Sequence, residues 1–503
     1  MRERLPVSRY TAAFVVLLAC QLAYLYTTFP SAEEYRPAAD EGTYFRLAST
    51  ILDRGLAGFA RLGREFIADP ELQVTPPPTR IGHVLTAALA LRVSRSFRAL
   101  SALSLTCQGL LCVAMFVFAK RLWGEPVAFV AGVLVMVSPL GAGLARRALM
   151  DTDYSLFVIL SLFTFVMWAT RGGDRRFAWF IAAIAWALLV KETTSVFLPY
   201  FFMALVAMKV KRVEHVRWRH LGILTAVPVG IGIAYAVFLG GFGPAAAVFR
   251  AWRQANTLET NAALQAYQSG PWYEYFVDSL LLSPMTILAF LLYCGWYLGS
   301  QQKSMQTTLI VLFFWVSLVF FALLPQNPRY VVPLDPIVRL GAALMIVTMF
   351  AALPTWKPIS LVGAAACFFI IATTDLASFR RLFIEDRIYD PVACNLLASR
   401  RVCPGDRRPR ASIAFMPDDY LAWSLAYYRA RDFDEAIQMA HRALILRPDY
   451  AEAYNNIGAA YCEIGMWPEA IVALETAVRL QPDLQLARNN LAWARGALAG
   501  VRR

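Results

Sequence analysis

Charge is scarce in this sequence. Only 17% of its 503 residues are Asp, Glu, Lys or Arg, while 58% are hydrophobic, and mean hydropathy is +0.49. That balance excludes an ordinary soluble globule and indicates a chain that crosses a membrane many times. Histidine is rarer still: His83, His215, His220 and His441 are scattered, which gives little support to a histidine-based metal site or a Ser-His-Asp triad. The eight cysteines show no zinc spacing. Cys20, Cys107, Cys112, Cys294 and Cys367 fall in apolar stretches, where they act as small fillers. Cys394 and Cys403 bracket a short polar loop, and both a disulfide and two free thiols stay open. No small-residue cleavage site follows the first apolar stretch, so that stretch reads as an anchor and not as a removed signal. Nor do the two halves of the apolar region show the internal symmetry common among transporters.

What the sequence does have is apolar runs. A membrane-spanning helix needs roughly 20 apolar residues. About eleven stretches qualify, near 10–28, 99–119, 125–143, 154–170, 177–190, 194–209, 221–239, 279–298, 307–325, 336–353 and 358–374. Some are short and are expected to tilt. The net charge of +13 fits basic cytoplasmic loops better than nucleic acid, since such loops collect Lys and Arg. Arg2, Arg4 and Arg9 mark the inside, followed by Lys120-Arg121, Arg171 with Arg175-Arg176, and Lys209 through Arg219. The alternate connections, with Asp40-Glu41, Asp151, Asp153, Lys191-Glu192 and the long 240–278 loop, then lie outside. This map requires that Ile81–Val93 not cross. At about 13 residues it is below spanning length, and Pro76-Pro77-Pro78 before it suits a sharp turn into a half-span.

Beyond residue 375 hydrophobicity falls and a repeat begins. Tyr427 and Tyr461 are 34 residues apart, as are Phe433 and Trp467, Ala436 and Ala470, and Pro448 and Pro482. This is the tetratricopeptide period and pattern, with Leu486–Leu498 as a capping helix. The expected organisation is all-α: a polytopic membrane domain at 1–375, a linker at 376–419, and repeats with a cap at 420–503. An inside N-terminus and an odd number of crossings put the repeats outside, on the side of the acidic loops.

Ionisable residues beside a bilayer are costly and tend to be kept for function. Gathered on one face, those named above can build a site. A carboxylate such as Asp40 or Glu41 can take a proton from an attacking hydroxyl. Asp151 and Asp153 can orient an acceptor, hold sugar hydroxyls or hold a cation. Arg329, Lys191, Arg146 and Arg147 can grip a phosphate, arginine doing so with a rigid fork.

Six landmarks occur in a fixed order. They are Asp40-Glu41-Gly42-Thr43-Tyr44; Pro77-Pro78 with the half-span; Ser138-Pro139 with Arg146 and Asp151; Leu188-Leu189-Val190-Lys191-Glu192 with Pro199; Gly270-Pro271-Trp272-Tyr273; and Arg329-Tyr330-Val331-Val332-Pro333-Leu334-Asp335-Pro336. Across residues 10–375 the chain resembles GT-C class glycosyltransferases of the dolichyl-phosphate-mannose–protein mannosyltransferase and aminoarabinose-transferase type. The resemblance implies the GT-C fold, an isoprenoid-phosphate sugar donor, inversion at the anomeric carbon and an acceptor entering from outside. It makes Asp40 the base, aligned by Glu41, and Asp151 the second acidic position in preference to Asp153. Arg329, Tyr330, Lys191, Arg146 and Arg147 would bind the donor phosphate, and Tyr44, Glu192 and Trp272 would face substrate. No cofactor is specified; metal dependence differs between branches, so a divalent cation stays open. The tail is more loosely similar to tetratricopeptide-containing O-mannosyltransferases, which makes a protein or peptide one acceptor. A lipid or envelope polysaccharide is the alternative. An O-antigen ligase would lean on His in its long loop, and 240–278 has none. A non-catalytic scaffold or transporter is the reading from outside enzymology.

Overall fold

Each apolar stretch read from the sequence is helical through most of its described residues. The computed structural model describes residues 8–29, 39–73, 75–255, 273–301, 303–324, 327–351, 357–386, 388, 417–447 and 449–501, and among these no strand occurs. The helices group into two units, one made of residues 1–35 and 47–411, the other of 36–46 and 412–503.

The first unit contains α1 (Arg9–Thr27), the second half of α2 (Ala39–Arg54), α3 (Gly58–Ala68), the short α4 (Pro70–Gln73), α5 (Ile81–Val93), α6 (Phe97–Trp123), α7 (Glu125–Met136) and α8 (Pro139–Ala145). It continues with α9 (Asp151–Arg171), α10 (Asp174–Val190), α11 (Leu198–Val210), α12 (Trp218–Leu239), α13 (Phe242–Ala255), α14 (Glu274–Leu282), α15 (Pro284–Gly299), α16 (Met305–Phe321), α17 (Asp335–Ala351) and α18 (Lys357–Phe379). Among the described residues, seven helical segments are long and apolar enough to cross a bilayer singly, and α7 with α8 makes an eighth. The other three expected crossings are the 17-residue α10, the 16-residue α15 and the 17-residue α16. Their lengths fall short of the roughly 20 residues of a full span, a mismatch that tilt cannot cure and local thinning of the bilayer can. α5 is the short apolar helix expected of a half-span. This is an integral membrane protein.

Two expected crossings are broken. α7 and α8 meet at a 55° bend. Pro139 has no N–H and pushes Ser138 out of the helical region, to ψ 121; the Ser138 hydroxyl then caps α8 by accepting from Gly141 N at 3.0 Å. Pro284 likewise separates α14 from α15. Between the helices the core is aromatic: Phe165, Phe180 and Phe201 contact one another at centroid distances of 4.9–5.1 Å, and Tyr200 adds an edge on Phe313.

The second unit contains α19 (Pro417–Arg429), α20 (Phe433–Leu446), α21 (Ala451–Glu463), α22 (Trp467–Leu480) and α23 (Gln485–Val501). These are two helix hairpins and a final helix, with Ala440, Ala443, Ala453 and Ile457 in one core and Ala470, Leu474, Leu491 and Ala494 in the next. Asn490 donates to Asn455 at 2.9 Å, and Trp467 meets Trp493 edge-on. Residues 36–46, which carry Asp40 and Glu41, cluster with this unit.

Candidate active site

Three chain segments of the membrane unit converge at the starts of α5 and α9 and the end of α10. α5 can come this close because of Gly82: a Cβ there would stand 3.0 Å from the backbone of Leu189 and Val190. α10 stops at Val190, and Lys191 turns extended. α9 opens with Asp151 and Asp153 in its first turn, where the positive end of the helix favours carboxylates.

Asp151 is completely buried, and both its oxygens are engaged. Oδ1 accepts from Lys191 Nζ at 3.0 Å, and Oδ2 accepts from Arg329 Nε at 3.0 Å. The Lys191 ammonium lies 4.8 Å from the Tyr154 ring centre and 5.2 Å from that of Tyr330, favourable cation–π geometry. Burial pulls this ammonium below its ordinary pKa range, and Asp151 opposes the pull. The Arg329 turn is shaped by Asn327, whose side-chain oxygen accepts from Arg329 N at 2.9 Å. The Tyr154 hydroxyl donates to the Tyr330 carbonyl at 3.3 Å.

Two further pairs flank this centre. Arg80 forks onto Glu192, with Nε to Oε2 at 3.0 Å and Nη2 to Oε1 at 2.5 Å. His83 Nδ1 and Asp153 Oδ2 are 2.8 Å apart, both residues buried. Arg80 and His83 escaped the sequence reading, in which histidine looked scattered. Arg80 stands at the N-cap of α5, just outside the helix, and His83 lies in its first turn, a placement that no local pattern in the sequence marks as a site.

The remaining candidates have other roles or belong to the other unit. Arg146 donates to the carbonyls of Phe383, at 2.8 Å, and of Thr28, which ties backbone together. Arg147 is half-buried beside it. Asp40, Glu41 and Tyr44 belong to the repeat unit, with Glu41 and Tyr44 fully buried. Trp272 lies outside the described residues, as do Cys394 and Cys403. Among the described residues no group of three or more His, Cys, Asp and Glu side chains has metal-holding geometry.

Residues 77–254 match the family model described as dolichyl-phosphate-mannose-protein mannosyltransferase, and residues 427–493 match the tetratricopeptide repeat. An undecaprenyl phosphate-alpha-4-amino-4-deoxy-L-arabinose arabinosyl transferase of Pseudomonas fluorescens is 27% identical over 247 residues, 46% of this chain and 42% of the relative. A peroxisomal targeting signal receptor of Eremothecium gossypii is 37% identical over 76 residues, 15% of this chain and 13% of the relative. The chain thus spans less than half the length of these curated relatives. Among solved structures, ArnT from Cupriavidus metallidurans bound to undecaprenyl phosphate aligns with a TM-score of 0.48 and 16% identity, over 95% of this chain and 78% of the other.

Proposed function

We propose that this chain, a membrane protein of the mannosyltransferase type with tetratricopeptide repeats, transfers a sugar from an isoprenoid-phosphate donor to an acceptor hydroxyl on the extracytoplasmic face. One observation carries the reading: buried Asp151 holds Lys191 and Arg329 together, each at 3.0 Å. Two cations fixed on one carboxylate stand ready at a set place inside an apolar protein. A donor phosphate, which gains negative charge as its bond to the sugar breaks, is the ligand that such a pair suits. Donors fixed in advance for developing charge are the largest single lever enzymes have.

The reaction is a single displacement. The acceptor oxygen attacks the anomeric carbon, the C–O bond to phosphate breaks, and configuration inverts. The hydroxyl proton passes to a carboxylate, and the electron pair of the broken bond stays on the phosphate. Asp40 is the base by its place in the Asp-Glu landmark, with Glu41 aligning it. Asp151 anchors the two cations, since both its oxygens are committed to them. Arg80 with Glu192 and His83 with Asp153 brace the segments that carry it.

The repeats support a protein acceptor, which makes protein O-glycosylation the fuller form of the proposal. Mass spectrometry of envelope proteins and lipids, with and without this chain, tests it. A lost protein-linked sugar is the expected result; a change confined to lipid or polysaccharide would refute the protein acceptor. Cysteine labelling supplies the orientation: Glu469 should react from outside and Val213 from inside. Asp40→Asn should slow transfer by a factor of about 10² to 10⁴ while binding of undecaprenyl phosphate holds. Undiminished turnover would remove Asp40 from the mechanism.

A further inference from the structure

A second buried charge cluster lies within the membrane unit. Arg339, on α17, is fully buried and its guanidinium reaches four partners on four elements. Nε donates to Asp335 Oδ2 at 2.8 Å. Nη1 donates to Asp375 Oδ2 at 2.5 Å and to the Leu134 carbonyl at 3.0 Å. Nη2 donates to Ser283 Oγ at 3.0 Å. The carboxylates are themselves supported: Ser138 donates to Asp335 at 2.8 Å and Thr286 to Asp375 at 2.9 Å.

The partners are not arbitrary. Ser138 stands at the bend between α7 and α8, and Ser283 at the break before α15, so both broken crossings meet at Arg339. Breaks inside a membrane survive where protein groups satisfy the freed backbone. That need alone does not call for ions. An Asp–Arg–Asp triad in an apolar interior is costly to desolvate, and a well-packed hydrophobic set of similar volume is often as stable or more so.

What the ions add is geometric. Only five residues separate Arg329 from Asp335, and they are wound tight. Tyr330 N bonds the Asn327 carbonyl at 2.9 Å and Leu334 N bonds the Val331 carbonyl at 2.8 Å, with Pro333 stiffening the turn between. Asp151 holds this stretch at its Arg329 end, and Arg339 holds it at its Asp335 end. Asp335 also lines a small cleft together with Thr152 and Ser155 of α9, so the starts of α9 and α17 face each other. We infer that Arg339 is a positioning residue for the phosphate centre: by pinning Asp335 to α7, α15 and α18 it sets where the Arg329 guanidinium points. The inference rests on the reading that Arg329 grips the donor phosphate.

The test is a double-mutant cycle on the full-length purified protein, with undecaprenyl phosphate as the probe and its dissociation constant as the readout. Arg329→Lys should weaken binding about tenfold, because an ammonium cannot reproduce the fork. Arg339→Met should weaken it by a similar factor. Ser283→Ala, which removes one of the four partners and little volume, should weaken it about threefold and serves if Arg339→Met does not fold. In the Arg329→Lys background Ser283→Ala and Arg339→Met should each add less than about a twofold change, since residues acting through one group are non-additive. A merely structural role would lower the thermal midpoint and leave affinity alone, or cost the same in both backgrounds; either outcome overturns the inference. Wild-type affinity in Arg329→Lys would remove the phosphate reading and the inference with it. Weakened Arg329→Lys beside unaffected Arg339→Met and Ser283→Ala would sink the inference and spare the reading.

Discussion

The two units differ in where they place charge. The membrane unit has exposed ion pairs such as Arg219–Asp174, at 49% and 77%, but it also buries others: Lys191 with Asp151 and Arg339 with Asp375 expose at most 3% of any side chain. In the repeat unit the ion pairs are outside, as in Arg431–Glu463 at 77% and 28% exposed and Arg495–Glu475 at 59% and 50%. There the interior is apolar, rich in alanine, with Met439, Ile457, Leu474 and the aromatic rings of Tyr420, Trp423 and Tyr450. Between helices surrounded by lipid the hydrophobic effect supplies little drive, and association relies on packing and polar contacts. Repeats in water gain from burying apolar faces against their neighbours. Removing one buried charge from the first unit should therefore be expensive and removing one exposed charge from the second cheap, while removing space should be expensive wherever helices touch.

The largest effect is expected at Asp151. Asp151→Asn keeps the shape but leaves Lys191 and Arg329 buried without their shared counter-ion. Breaking a buried pair from one side costs about 3–5 kcal/mol. The variant should lose a large part of its thermal stability and of its transfer activity together. Full stability in the Asp151→Asn variant would mean that the two cations are neutralised by other groups, and the contrast between the units would weaken.

Next comes Gly458, where α21 crosses α22. A Cβ there would press on Leu474 Cγ and lie 2.8 Å from its Cδ2, closer than real contacts allow, and would make a tight contact of 3.1 Å with the Ala470 carbonyl oxygen. Overpacking costs typically about 1–3 kcal/mol. Gly458→Ala should speed hydrogen exchange across residues 451–480 of the intact protein by a matching factor. Unchanged exchange would show that Leu474 moves aside freely, and that the repeat core is looser than the contact implies.

These contrasts bear on what the sequence could disclose. Hydropathy located the crossing helices because lipid demands long apolar runs, and a 34-residue period located the repeats because each helix pair must stack on the next. Motif order led to Asp151, Lys191 and Arg329, which the fold joins across 178 residues of chain. Arg80 and His83 were passed over, since their partners Glu192 and Asp153 are 112 and 70 residues away and no local pattern announces such a pair. Arg339 was hidden for a similar reason. Read along α17 it is one charge within an apolar helix; only the fold brings Leu134, Ser283 and Asp375 to it. The breaks at Pro139 and Pro284 were visible as prolines, but a proline in an apolar run does not say whether the helix kinks, stops or turns back.

The smallest effect tests the two repeats against each other. Each hairpin turns at an equivalent left-handed position, Arg431 at φ +61 in the first and Gly465 at φ +79 in the second. In both, the next residue's N–H reaches back to a tyrosine carbonyl: Asp432 to Tyr427 at 3.0 Å, and Met466 to Tyr461 at 2.9 Å. This is a helix-ending motif that favours glycine. An L-residue there is strained by about 1–2 kcal/mol, but glycine forfeits about 0.5–1 kcal/mol to the entropy of the unfolded chain. Arg431 also recovers a little from its exposed contact with Glu463 at 3.3 Å, a type of pair worth about 0.2–1 kcal/mol. These terms nearly cancel, so Arg431→Gly should change the stability of the repeats by no more than about 0.5 kcal/mol. Gly465→Arg recovers the glycine entropy but creates a strained L-residue, and a Cβ there would meet nothing within 4 Å, so the strain that remains should make it the costlier exchange, by about 0.5–1 kcal/mol. Local hydrogen exchange on both variants measures the difference. If Arg431→Gly stabilised the repeats by well over 1 kcal/mol, the exposed ion pair would be contributing nothing and backbone strain alone would set the balance at this turn.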